Sequence, residues 1–137
     1  MLQFYLLSVF ANLMASLTLA GDYLGEKLPF LGCFKEVRTK RSARMTIGIA
    51  ALVVGIIKLF VLAPGEHVII VGDFLPAAAG IIIGAILLAE INPAKVEQAG
   101  EPIRKISRTA LTYRVPVSIA GIVVALLHFL FPEMAVL

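Results

Sequence analysis

Two stretches of the chain share the pattern Lys-x-x-Arg-Thr-x-x-x-x-Arg at a separation of 70 residues. A guanidinium can bind a phosphate through two parallel hydrogen bonds, and a lysine or hydroxyl nearby on the same helix can add another donor. The two copies are therefore a candidate site for a phosphate or an anionic lipid headgroup where they meet. The alternative is that these basic residues only mark one side of a membrane. The two copies consist of Lys35, Arg38, Thr39, Arg44, Lys105, Arg108, Thr109 and Arg114.

Ionisable residues inside apolar segments form a second candidate site. Lys58 and His128 correspond under the same 70-residue offset, and Asp73 lies early in the third apolar segment. A charge is costly in hydrocarbon, so these residues are candidates for an ion or proton pathway, in which Lys58 pairs with Asp73 beside a titratable His128. The structural alternatives are that Lys58 extends to the membrane surface and that Asp73 caps a helix.

Small residues predict where helices pack closely. Ala51 and Gly55 correspond to Gly121 and Ala125, which predicts that the second and fourth helices cross near a symmetry axis. A Gly-x-x-x-Gly pattern on the third helix contacts either the same bundle or another subunit. Asn12, in the first apolar segment, is expected to join two helices by a hydrogen bond. The packing candidates are Ala51, Gly55, Gly80, Gly84, Gly121 and Ala125.

The composition excludes an ordinary soluble domain. Of 137 residues, 60% are hydrophobic and 15% are charged. A soluble domain of this size leaves much of its surface exposed and cannot hide so many apolar residues. The chain also lacks the basic, aromatic-rich face of a nucleic-acid binder. A single cysteine, Cys33, and two distant histidines give no pattern for a metal site.

Four apolar segments are long enough to cross a bilayer, roughly 2–20, 46–63, 68–89 and 115–132. In hydrocarbon every backbone amide needs an internal partner, so these segments are predicted to be helices. The first is expected to stay in the mature protein, because no Lys or Arg precedes it as in a signal peptide.

The predicted topology follows from charge. Eleven of the twelve basic residues lie in two polar links, after the first and third segments. Positive loops face the cytoplasm, so both links are expected inside and both termini outside a cell inner membrane. The fold class is therefore an all-α integral membrane protein of two tandem parallel hairpin repeats, 1–67 and 68–137, with a pseudo-twofold axis along the membrane normal. Within the links, apolar residues at helical spacing predict basic amphipathic segments, either lying in the interface or extending the spanning helices.

The sequence predicts a binding protein rather than an enzyme. It shows no nucleophile–base pair, paired carboxylates or phosphate-cradling glycine loop, and we expect no cofactor and no metal. We expect a non-catalytic membrane subunit or scaffold that binds anionic lipid, as a homo-oligomer or within a membrane complex, with no nucleic-acid partner. The alternative is a small oligomeric transporter or channel that uses Lys58, Asp73 and His128.

Overall fold

The computed structural model describes residues 2–60 and 69–131, with side chains for 3–60 and 74–131, and these residues form helices and no strands. Each predicted apolar segment corresponds to one long helix. The long helices are α1 (Leu2–Leu19), α4 (Arg41–Phe60), α5 (Ile69–Ile91) and α8 (Arg114–Leu130), and the link helices are α2 (Gly21–Lys27), α3 (Gly32–Thr39), α6 (Pro93–Gln98) and α7 (Glu101–Thr112), with a 3-10 turn at Pro29–Leu31.

Two to four of these helices are apolar and long enough to cross a membrane. Helix α4 and residues Phe74–Ile91 of α5 meet this condition alone. Helices α1 and α8 meet it only together with α2 and α7, to which they are joined at bends of 78° and 72°. The bends show that α2 and α7 are not straight continuations of the long helices.

Helices α4 and α5 pack tightly because glycines remove the side chains between them. A Cβ at Gly84 would lie 2.7 Å from the carbonyl oxygen of Gly48 and 2.9 Å from the amide nitrogen of Leu52. A Cβ at Gly55 would lie 2.8 Å from the carbonyl oxygen of Ala77. The Gly-x-x-x-Gly pattern of α5 therefore packs within the chain, against α4.

The expectation that the second and fourth long helices cross at their small residues is wrong. Helix α4 packs along α5, and α8 packs along α1. Helices α1 and α5 also contact each other between these two pairs. The small residues of α8 accordingly face α1 and α5, since a Cβ at Gly121 would lie 2.5 Å from Ser16 Oγ and would also meet Ile83.

The core lies where α1, α4 and α5 meet. It contains buried Ala15, Leu19, Ala51, Ile83, Ile86 and Leu87. On the other side of α1, an apolar groove of about 670 Å³ lies between α1 and α8 and is lined by Leu6, Phe10, Leu126 and Phe129, among others. The α1–α8 pair is therefore packed more loosely than the α4–α5 pair.

Candidate functional site

A buried arginine joins the first link to the ends of two long helices. Arg38 on α3 donates from Nε to Asp22 Oδ2 at 2.7 Å and from Nη2 to Glu90 Oε1 at 2.9 Å. Its Nη1 donates to the carbonyl oxygen of Leu19 at 2.9 Å, at the end of α1. Every nitrogen of this guanidinium thus has an acceptor, and the side chain is only 7% exposed.

Glu90, near the end of α5, is the centre of a larger cluster. Arg114 Nη1 lies 3.0 Å from Glu90 Oε1, and Arg44 Nη1 lies 4.0 Å from Glu90 Oε2. Arg114 Nη2 also lies 3.7 Å from Asp22 Oδ2. Arg44 and Arg114 are the last residues of the two copies of the basic motif. The structure therefore brings the copies together through these arginines and a carboxylate of the same chain.

The cluster carries an excess of positive charge. Three arginines (Arg38, Arg44 and Arg114) face two carboxylates (Asp22 and Glu90), which leaves one net positive charge. Burial by itself lowers the pKa of Arg38, but the hydrogen bonds and charges of Glu90 and Asp22 outweigh burial and raise that pKa above its ordinary value. The cluster thus keeps Arg38 charged.

Two polar atoms of the cluster have no hydrogen-bond partner. These are Nε of Arg44, a donor, and Oε2 of Glu90, an acceptor. Buried polar atoms normally have a partner, which is often water. Arg44 and Arg114 are also its more accessible arginines, with side chains 21% and 35% exposed. A ligand at this end of the bundle would therefore reach these two residues first.

The structure does not form the expected phosphate clamp from Arg38 and Arg108. Each of the three guanidinium nitrogens of Arg38 donates to an acceptor of the chain, and Arg108 on α7 forms a two-oxygen ion pair with Glu97, at 2.9 Å to each oxygen. The Arg108 side chain is 63% exposed, so this pair is on the surface. The two arginines stand at equivalent places in the motif but occupy different environments.

The other motif residues lie on the surface of the links. Lys35 lies 3.9 Å from Glu26, and Lys105 is exposed. Thr39 donates to the carbonyl oxygen of Glu36, and Thr109 donates to that of Lys105. Each threonine hydroxyl therefore bonds its own helix, and both lysines are exposed to solvent.

The second candidate site lies at the opposite end of α4 and α8. Lys58 Nζ lies 3.1 Å from His128 Nε2, and both side chains are buried. Tyr5 packs against the His128 ring, with centroids 4.7 Å apart, and its hydroxyl donates to the His128 carbonyl oxygen. Lys58 Nζ is 6.0 Å from the centre of the Tyr5 ring. The side chain of Asp73 lies outside the described residues, so its predicted pairing with Lys58 stays a prediction.

Asn12 links α1 to α5 through an interhelical hydrogen bond. Its Nδ2 donates to the carbonyl oxygen of Pro76 at 2.8 Å. A Cβ at Gly80 would lie 2.6 Å from Asn12 Oδ1, so glycine makes room for this amide. Ser8 and Ser16 lie on the same buried side of α1, and Ser16 Oγ has no hydrogen-bond partner. Helix α1 thus presents polar groups to the bundle interior.

Sequence reasoning missed the two carboxylates that organise the basic end. Asp22 and Glu90 are not repeated, because the corresponding positions under the 70-residue offset hold Asn92 and Ala20. A signal was present, since each carboxylate lies where an apolar segment meets a basic link. Among the described residues, no three His, Cys, Asp or Glu side chains form a group that could hold a metal.

A family model matches residues 1–128, and its description names no function. No curated protein and no solved structure matches the chain.

Proposed function

The chain belongs to this family of unknown function, and we propose from its geometry that it is a non-catalytic membrane subunit or scaffold whose basic end binds anionic lipid headgroups. The observation that carries the proposal is the convergence of Arg38, Arg44 and Arg114 on only two carboxylates. Basic pockets between helices at the membrane surface are suited to anionic headgroups.

The cluster favours an anion for electrostatic reasons. Its excess charge lies in a partly buried place, where water screens it less than on an open surface. Arg44 has a donor without a partner, and the partial exposure of Arg44 and Arg114 leaves an approach for a phosphate. The exposed lysines Lys35 and Lys105 add longer-range attraction. Arg38 has a structural role, because it holds the first link against α1 and α5.

We further propose that the chain is a pair of parallel hairpins, 1–67 and 68–137, related by a pseudo-twofold axis between α1 and α5. The packing supports this arrangement, since α4 contacts α5 as α8 contacts α1. The contact between Lys58 and His128, which are 70 residues apart, also supports such an axis, because equivalent residues meet where they lie next to a twofold axis. Charge supports a cytoplasmic position for both links at an inner membrane, with both termini outside.

Native mass spectrometry of the detergent-extracted protein tests the proposal. We expect the spectrum to show the protein with bound anionic phospholipid and with either a second copy or a partner subunit. Partners are expected because scaffolds act through association, and the method reports lipid and oligomer together. A lipid-free monomer that takes up phosphatidylglycerol no better than phosphatidylcholine would overturn the lipid-binding scaffold.

Transport is the second candidate function, and the Lys58–His128 contact favours it. Two ionisable side chains buried 3.1 Å apart in apolar helices are costly and by default raise a functional hypothesis. Polar Ser8, Asn12 and Ser16 extend from this end into the bundle interior. In proteoliposomes with an imposed pH gradient, a transporter would show a flux that His128→Gln abolishes while folding is retained. Equal fluxes for parent, variant and empty vesicles would reject transport.

A further inference from the structure

Helix α7 has one apolar face that the protein leaves largely uncovered. Ala110 and Leu111 pack against the core, whereas Ile103 and Ile106 are 59% and 69% exposed. Tyr113, just after the helix, is also exposed. On the opposite face Lys105 and Arg108 are exposed. An amphipathic helix with this division of residues is suited to lie in a membrane interface.

An apolar groove lies beneath this face. It has a volume of about 240 Å³ and runs between α7 and the spanning part of α5. Its walls are almost entirely apolar, and small side chains at Ala85 and Ala89 leave the space open. It is lined by Ile81, Ile82, Ala85, Ile86, Ala89, Ile106, Ser107 and Ala110.

The direction of α7 relates the groove to the membrane. Helix α7 is bent by 72° from α8, so it lies closer to the membrane plane than α8 if α8 spans. The groove then begins at the interfacial helix and continues along α5 into the acyl region. A headgroup near the basic face of α7 would meet positive charge, while its chain would meet walls that are almost entirely apolar.

We propose that α7 lies at the membrane surface with Ile103 and Ile106 in the acyl region, and that the groove holds an acyl chain of an anionic phospholipid. The inference deepens the proposed function, because it names the part of the lipid that the protein binds in addition to the headgroup. It depends on the proposed membrane placement and not on Arg44 or Arg114.

The absence of tryptophan in the chain permits a direct test of the depth of α7. Ile103→Trp and Thr112→Trp each introduce one fluorophore, on opposite sides of the helix because nine residues correspond to about two and a half turns. In nanodiscs of acyl-brominated phosphatidylglycerol, we expect the fluorescence of Ile103→Trp to be quenched at least about twofold more strongly than that of Thr112→Trp. The reason is that interfacial helices bury their apolar face ~5–10 Å deep. Equal quenching would overturn the placement.

A photoreactive phosphatidylglycerol with a diazirine on its acyl chain tests the groove. We expect labelling of residues 81–89 and of α7 in the parent, and loss of most of that labelling in Ala85→Leu, which fills the groove. Ala50→Leu, at an exposed position of the spanning helix α4, is the matched control and should keep the labelling. Labelling unchanged by Ala85→Leu would overturn the acyl site. Headgroup binding that depends on Arg44 and Arg114 is measured separately, so the two proposals can fail independently.

Discussion

Arg38 and Glu90 form an ion pair in which Nη2 lies 2.9 Å from Oε1, and each side chain is only 7% exposed. The pair joins the first link to the end of α5, 52 residues away along the chain. Removing water from two charges is expensive, so the pair is tolerable only because further hydrogen bonds from Arg38 to Asp22 and Leu19 complete it. The pair positions the carboxylate of Glu90, which Arg44 and Arg114 also contact.

Glu90→Ala should destabilise the protein by about 3–5 kcal/mol, because it leaves buried arginines without their shared counter-ion. Unfolding in mixed detergent, followed by circular dichroism, measures the free energy of unfolding. The matched control is Glu97→Ala, which breaks the exposed pair with Arg108 and should cost about 0–1 kcal/mol. Equal losses for the two variants would contradict a central role for Glu90.

The contribution of the Arg38 charge to stability should not change with pH near neutrality. Because the pKa of Arg38 is raised in the folded state, its contribution is fully present below the unfolded arginine pKa and is lost only as pH rises through the higher folded value. In Arg38→Lys the side chain has an unfolded pKa of about 10.4, so the stability difference from the parent should grow only as the pH rises above about 10.4. A constant difference would show that charge at this position is unimportant.

Gly84→Ala should force α4 and α5 apart. Its Cβ would meet backbone atoms of Gly48 and Leu52, which cannot rotate away, so we expect a loss of about 1–3 kcal/mol in the same unfolding assay. At Gly32, a Cβ meets nothing within 4 Å. Gly32→Ala should therefore be neutral or stabilise by up to about 1 kcal/mol. Similar behaviour of both variants would argue against the close α4–α5 contact.

Asn12→Ala should weaken the α1–α5 contact by about 0.6–2 kcal/mol, the range for hydrogen bonds between helices in membranes. The lost bond is the one from Asn12 to the carbonyl oxygen of Pro76. Thr46→Ala is the control, because the Thr46 hydroxyl donates to the carbonyl oxygen of Ser42 in its own helix. A control as destabilising as Asn12→Ala would show that the assay does not report this interhelical bond.

Much of the helical framework could be predicted from the sequence, and the reason is physical. Hydrocarbon allows few backbone structures, so apolar length alone located the four long helices to within several residues. Their pairing could not be predicted in the same way. Small residues on α4 and α8 allow close approach, but they do not specify which helix approaches, and the partners are α5 for α4 and α1 for α8.

The candidate site shows a different limit. Arg38 and Arg108 have the same neighbours in the motif, yet one is buried and the other is on the surface. The difference arises from residues distant in sequence, because Arg38 reaches Asp22 and Glu90, whereas Arg108 reaches Glu97. A repeated motif therefore identifies candidate anion-binding arginines, but it does not show which acceptors of the chain they contact or whether they are buried.

The most direct test of the proposed lipid-binding role is a native mass spectrometry titration with phosphatidylglycerol. Arg44→Gln/Arg114→Gln removes two charges from the cluster, and Lys35→Gln/Lys105→Gln removes two charges from exposed motif positions. We predict that the arginine variant binds the lipid about tenfold more weakly than the parent, equivalent to ~1.4 kcal/mol, and that the lysine variant changes far less. Equal affinity of the arginine variant and the parent, or equal weakening of both variants, would contradict a specific anionic-lipid site at the cluster.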